Sequence, residues 1–396
     1  MEIDRRTLAR HSLIRISSGL VTAILLVLLG RTMSVDEFAL VQVQFTFGGL
    51  ICWVFDLGLI GFAFISAAKG NLSEMAACWA LRTKFFVIPA TGILILFFWG
   101  QMSVTVAFAL IVGMQEFIVD SHLPIRQIVR GSAINFHFVT TRKIAQVLLI
   151  LAFYVTSGFV SIEQALSAVG LPSFIVLLLD LIFLFRNNYR TEISAIHIKK
   201  SMKYFLQNAG TNLATLDVVV ISFYGSKDLI YPYVLGKKFY SFLTIPGTVF
   251  MQQTIYNEKT TGHSRSKFLQ TMKGVNGTTV LCCLISLIVF IFMSDIFLGQ
   301  HATIEATQLI GLMILLPVLG VSSTNLNAIL ISRDSFKLAT FATFTSSVIY
   351  LIFLTTSLLF GVDPFACLQY ALVLNLVIEI FLYDSFIFRV SKSCND

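Results

Sequence analysis

Long apolar stretches alternate with short polar connections along the whole chain, and most stretches reach the roughly 20 residues a helix needs to cross a bilayer. Twelve fall near 12–30, 38–66, 84–100, 104–121, 143–160, 164–185, 203–223, 230–251, 275–293, 304–331, 338–360 and 365–388. The second and tenth are longer than one span, a length that tilt or extension past the bilayer accommodates. The longest connection, Gln252 to Gly274, has no room for a soluble domain. The pattern predicts an all-α polytopic membrane protein of twelve transmembrane helices.

Basic residues set the orientation, because short cytoplasmic loops are enriched in Lys and Arg. With the N-terminus inside, Arg31, Lys227, Lys237 and Lys238 fall outside and the other 24 of the 28 basic residues fall inside. This places both termini in the cytoplasm, with cytoplasmic loops at 67–83, 122–142, 186–202, 252–274 and 332–337. The first apolar stretch is too long for a signal peptide and lacks a small-residue cleavage site. A weak internal repeat relates Gly30–Phe38, before the second helix, to Gly225–Tyr233, before the eighth. With six helices per half, both halves enter from the same side. The expectation is two six-helix lobes, 1–195 and 196–396, forming a parallel pseudo-repeat around a central cavity.

Composition agrees. Hydrophobic residues make up 56% and charged residues 12%, against about 25% charged in a soluble protein. This excludes disorder, collagen, coiled coil and a soluble enzyme. The net charge of +7 sits in the loops and does not point to nucleic acid. The six cysteines show no C-x-x-C and no metal spacing. There is no Walker A loop, no H-x-x-x-H and no G-x-S-x-G, so neither an enzyme, a cofactor nor a metal is expected. The sequons at Asn71 and Asn276 fall on the cytoplasmic side.

Polar residues inside spans cost free energy, about 2.5–3.5 kcal/mol for a central charge on insertion scales, so their helical phase marks faces turned from lipid. Such stripes are Arg15, Ser18, Gly19 and Thr22; Gln42, Thr46, Gly49, Trp53 and Asp56; Glu116, Asp120, Gln127 and Arg130; Tyr233, Lys237, Tyr240, Thr244 and Thr248; and Asn375, Glu379 and Tyr383. The uncharged members serve either as interhelical glue or as cavity lining. Arg15, Arg126 and Arg130 either line a cavity or snorkel to headgroups. Asp217 lies opposite the Asn208, Thr211, Asn212 and Thr215 stripe of its helix, which leaves its wall undefined. Asp56 and Glu379 are candidates for ion coupling, with a structural salt bridge as the alternative reading.

Ser12-Leu13-Ile14-Arg15, Leu29-Gly30-Arg31-Thr32-Met33-Ser34-Val35-Asp36-Glu37-Phe38 and Asp56-Leu57-Gly58-Leu59, together with Leu216-Asp217, Tyr233-Val234-Leu235-Gly236-Lys237-Lys238 and Ile245-Pro246, carry a family resemblance. The chain resembles the Wzx-type polysaccharide-unit (O-antigen) flippases of the multidrug/oligosaccharidyl-lipid/polysaccharide exporter superfamily. It departs from them at Phe38-Ala39, where Phe-Gly is common, and at Tyr231-Pro232. The resemblance implies a transporter of the bacterial inner membrane that moves an undecaprenyl-pyrophosphate-linked oligosaccharide to the periplasmic leaflet by alternating access. It also implies drive by an H+ or Na+ gradient, and a polysaccharide polymerase and chain-length regulator as partners beside the lipid bilayer.

On that reading Arg15 and Lys237 hold the pyrophosphate, Tyr233 and Tyr240 stack on sugars, and Arg31, Arg126 and Arg130 guide the substrate at the mouths. A drug/cation antiporter of the same superfamily is the nearest rival. A polysaccharide polymerase or glycosyltransferase is more distant, since such enzymes carry a large loop or soluble domain that this sequence lacks.

Overall fold

The structure is a computed structural model that describes residues 5–68, 71–122, 132–186, 195–245, 265–332 and 335–393. Among the described residues it is helical throughout, with no strand. Seven helices are long and apolar enough to cross a membrane: Val35–Asp56, Ser73–Phe98, Val104–Ser121, Ile162–Phe183, Ile304–Asn327, Lys337–Leu359 and Pro364–Ile387. Three shorter apolar helices, Gly19–Thr32, Asn212–Tyr224 and Asn276–Phe292, accompany them. The chain divides into two compact units, one of residues 24–208, the other of residues 1–23 with 209–396.

The first unit contains the end of α1 (Arg5–Thr32), then α2 (Val35–Asp56), α3 (Leu59–Ala68), α4 (Leu72–Phe98), α5 (Val104–Ser121), α6 (Ser132–Ser157), α7 (Ile162–Arg186) and the start of α8 (Ala195–Ala214). A capping box starts α2: Ser34 Oγ accepts from the Glu37 amide at 3.3 Å, and the Ser34 amide donates to Glu37 Oε2 at 3.1 Å. Helices α2 and α5 then approach closely at Gly48 and Gly113. A Cβ on Gly48 would lie 2.6 Å from the Leu110 carbonyl oxygen, and one on Gly113 would lie 2.7 Å from Phe45 Cα.

The second expected span, 38–66, is broken. Leu57 (φ 49°) and Gly58 (φ 77°) are both left-handed and end α2. Gly58 is required there, since a Cβ would meet the Ser201 carbonyl oxygen of α8 at 2.3 Å. The Ser201 hydroxyl donates to the Leu57 carbonyl at 2.8 Å and fixes the same junction. A further correction concerns Arg82 and Arg142, which fall in the expected loops 67–83 and 122–142. Both are buried within helices, as is Lys143 beside them, because each has a carboxylate partner.

The second unit contains the rest of α8, α9 (Asp217–Tyr224), a 3-10 turn (Lys227–Leu229), α10 (Ile230–Leu243), α11 (Arg265–Phe292), α12 (Ile304–Leu315), α13 (Pro317–Ser332), α14 (Phe336–Leu359) and α15 (Pro364–Ser393). The expected tenth span divides at Leu316, where Pro317 supplies no amide proton and opens α13. The expected seventh span divides at Thr215–Leu216. There the Thr215 and Leu216 amides bond back three residues, to Asn212 and Leu213, and the α-helical pattern stops. Large apolar side chains lie exposed along α4 (Val87, Ile88, Leu94), α7 (Leu171, Phe174, Ile182) and α11 (Leu281, Ile285, Phe292). In water such faces would aggregate, whereas a bilayer solvates them.

Candidate functional site

In the first unit every buried carboxylate described here has a polar partner of opposite or titratable charge. Asp56, 3% exposed, faces Arg82, 1% exposed, with Nε 2.5 Å from Oδ1. Arg82 Nη2 also donates to Ser121 Oγ at 2.5 Å, and its guanidinium lies over the Phe86 ring at 4.8 Å. Asp56, a candidate for ion coupling with a salt bridge as the alternative, has Arg82 as its ion-pair partner. Glu116 on α5 accepts from Lys143 Nζ at 2.6 Å, Gln146 Nε2 at 2.8 Å and the Ser173 hydroxyl. Arg142 donates to Asp120, and His122 Nδ1 lies 3.3 Å from Asp180 Oδ2. Buried ions are tolerated when each is both paired and hydrogen-bonded. These networks therefore fasten α2, α4, α5, α6 and α7 to one another.

The second unit holds two carboxylates of different kinds. Asp217 is 2% exposed and stands in the first turn of α9, just after the helix break. Lys237 Nζ donates to its two oxygens at 2.9 and 2.8 Å, Tyr350 donates at 3.2 Å, and Tyr233 donates as well. The Val218 amide adds a fourth donor at 2.6 Å. Half-helix N-termini of this kind favour anions, and position, charge and hydrogen bonds together fix the Asp217 carboxyl in place. The Lys237 ammonium lies 5.0 Å from the centre of the Tyr233 ring.

Glu379 on α15 has only hydroxyl partners. Tyr383 donates to Oε1 at 3.1 Å and itself bonds the Thr343 hydroxyl at 2.6 Å, while Ser323 and Thr343 complete the set. Tyr240 lies within electrostatic reach of the same carboxyl, and its hydroxyl packs against Gly320. Among the described residues no Lys, Arg or His pairs with Glu379. Four residues from Ser323 and from Glu379 on their own helices, Asn327 Oδ1 and Asn375 Oδ1 are buried and lack a hydrogen-bond partner. Among the described side chains, the Glu379 carboxyl thus meets hydroxyls and no counter-charge.

Of the remaining expected site residues, Tyr233 and Lys237 come together at Asp217. Tyr233, expected to stack on a sugar, is fully buried against Asp217 and Tyr350 and offers no free face. Lys237, expected to hold a pyrophosphate, is engaged by Asp217 while its side chain stays 34% exposed. Tyr240 is half-buried beside Glu379. Arg31 is exposed in the last turn of α1, where a cation complements the helix dipole. Arg15 lies on α1, its side chain outside the described set, and Arg126 and Arg130 lie outside the described residues. Asp217, left unplaced by the helical phase, is the centre of a buried cluster with Lys237, Tyr233 and Tyr350, the last of which carries no signal in the sequence pattern.

The apolar helices and their exposed apolar faces define the class, a polytopic helical membrane protein. Among the solved structures similar to it in fold are transporters of the MATE (multidrug resistance) family of the MOP superfamily. One, an inward-facing multidrug resistance MATE transporter, superposes with a TM-score of 0.67 at 15% identity, covering 96% of this chain and 98% of the other. Another, the MATE multidrug transporter DinF-BH in complex with R6G, gives 0.70 at 14% identity over 97% and 94%. An outward-facing MATE transporter gives 0.65 at 14% over 98% and 96%. At these identities the likeness is one of fold. No family model and no curated protein matches the chain by sequence.

Proposed function

We propose that this chain is an ion-coupled secondary transporter working by alternating access, with Glu379 as the carboxyl that changes charge during the cycle. The single observation behind it is that Glu379 meets hydroxyls and, among the described side chains, no cation. A proton or a hard monovalent cation satisfies such an all-oxygen set. The cargo on this reading is cationic, so the chain is a drug/cation antiporter. The fold shared with MATE transporters and the neutralised state of Lys237 both support this choice over an anionic cargo. Two six-helix lobes, 1–195 and 196–396, and an inner-membrane location with cytoplasmic termini are part of the proposal.

The test is efflux of a cationic fluorescent dye from cells stripped of their own exporters. Expression of the wild type should drive gradient-dependent efflux, and Glu379→Gln at matched membrane levels should abolish it. Wild-type efflux at the Glu379→Gln level would refute the reading.

The flipping of a lipid-linked oligosaccharide is the second reading, favoured by the quoted sequence stretches and by the exposed edge of Lys237. Restoration of surface polysaccharide in a flippase-null strain by the wild type, and its loss in Lys237→Ala with rescue by Lys237→Arg, would support it and the associated polymerase and chain-length regulator.

A further inference from the structure

One side of α7 is a stripe of exposed apolar side chains, Leu171, Phe174, Leu178 and Ile182, spaced three and four residues apart. That spacing keeps them on a single helical face, and lipid is the solvent that suits such a face. Arg186, four residues after Ile182, continues the same stripe in the last turn of α7 and is itself exposed. A cation that closes a lipid-facing stripe stands where acyl chains give way to phosphate headgroups.

The start of α8 lies beside this end of α7. Phe183 of α7 and Ile198 of α8 pack against one cluster, which includes Leu59, Trp79 and Tyr204. The backbone of Ser201 and Phe205 approaches Gly58, and Tyr204 approaches Gly61. A step of 100° per residue then puts positions 199 and 203 on the side of α8 turned away from those contacts. Lys199 is exposed, and Met202 beside it is 41% exposed. From 186 to 203 the sequence holds five basic residues against a single acid, Glu192. Among the described residues neither Arg186 nor Lys199 has an ion-pair partner, whereas Arg82, Arg142 and Lys143 of the same unit are buried on carboxylates.

Unpaired cations at the end of a lipid-facing stripe fit an anion that brings its own hydrocarbon. We propose that Arg186, Lys199 and Lys203 form a binding site for the phosphate of an anionic phospholipid, with its acyl chains along the α7 stripe. Arg supplies forked N–H donors to phosphate oxygens, and Lys supplies point charge. The stripe selects a lipid over free phosphate, because the apolar contact is lost without the chains. The inference goes beyond the proposed function and holds whichever cargo the chain carries.

The test is native mass spectrometry of the full-length protein in detergent micelles, titrated with an equimolar mixture of phosphatidylglycerol and phosphatidylcholine. The wild type should retain phosphatidylglycerol first. One basic residue beside an anionic headgroup is worth about fivefold in affinity. Arg186→Gln and Lys199→Gln should therefore each lower the preference about fivefold, and Lys199→Arg should keep it. Lys337→Gln, at an exposed lysine in the first turn of α14, is the control and should leave the preference unchanged. A loss in Lys337→Gln as large as in Lys199→Gln would mean a diffuse field and no site. Equal retention of both lipids by the wild type would overturn the proposal outright. Displacement of phosphatidylglycerol by an equal concentration of water-soluble glycerol phosphate would overturn the assignment to a lipid.

Discussion

Asp56 and Glu379 read alike in the sequence, each a lone carboxylate on a polar helical stripe, yet their surroundings are opposite. Asp56 is closed off by Arg82, which is itself tied to Ser121 and stacked on Phe86. Glu379 meets the hydroxyls of Ser323, Thr343 and Tyr383 and, among the described side chains, no cation. An acid on a stripe therefore says little by itself. On the proposed function, the acid with no counter-charge among the described side chains is the one that takes up and releases a proton, because a paired acid is already neutralised in place.

The comparison is sharpened first by stability. Arg82→Met strands the Asp56 charge and should cost about 3–5 kcal/mol, seen as a large drop in the thermal unfolding temperature of the purified protein. Asp56→Leu combined with Arg82→Met removes both charges and should recover most of that loss. A double variant as unstable as the single one would mean that the pair does more than balance charge. A smaller effect is expected at Tyr383→Phe, which deletes one hydroxyl on Glu379 for about 1 kcal/mol and should weaken gradient-driven transport several-fold while the protein still folds. Ser34→Ala gives the smallest change. It removes the α2 capping box for about 1 kcal/mol in unfolding measurements and should leave transport per folded molecule unchanged.

The apolar spacing was enough to locate most spans, because burial of about 20 apolar residues in lipid is a strong local signal. The breaks inside spans were not legible. The phase argument for Asp217 assumed one continuous helix, and the interruption at Thr215–Leu216 resets that phase and turns the carboxylate toward Lys237 and Tyr350. Likewise Leu57 in a left-handed conformation carries no composition signal, although Gly58 beside it marks the junction with α8. Arg82, Arg142 and Lys143 look like loop charges because a single-residue hydropathy value ignores the partner that neutralises it. The pairing of Glu379 with Tyr383 was legible, since four residues on a helix place two side chains on one face. Its hydroxyl partners from α13 and α14 depend on packing and leave no local trace.

The most direct test sets the two carboxylates side by side in sealed proteoliposomes, measuring uptake of a cationic fluorescent dye driven by an imposed proton or Na+ gradient. Asp56→Asn combined with Arg82→Gln replaces the closed pair by neutral hydrogen-bonding groups and should retain gradient-driven uptake. Glu379→Gln should lose it while still binding the dye. Uptake that survives Glu379→Gln and disappears in the Asp56/Arg82 double variant would contradict the account.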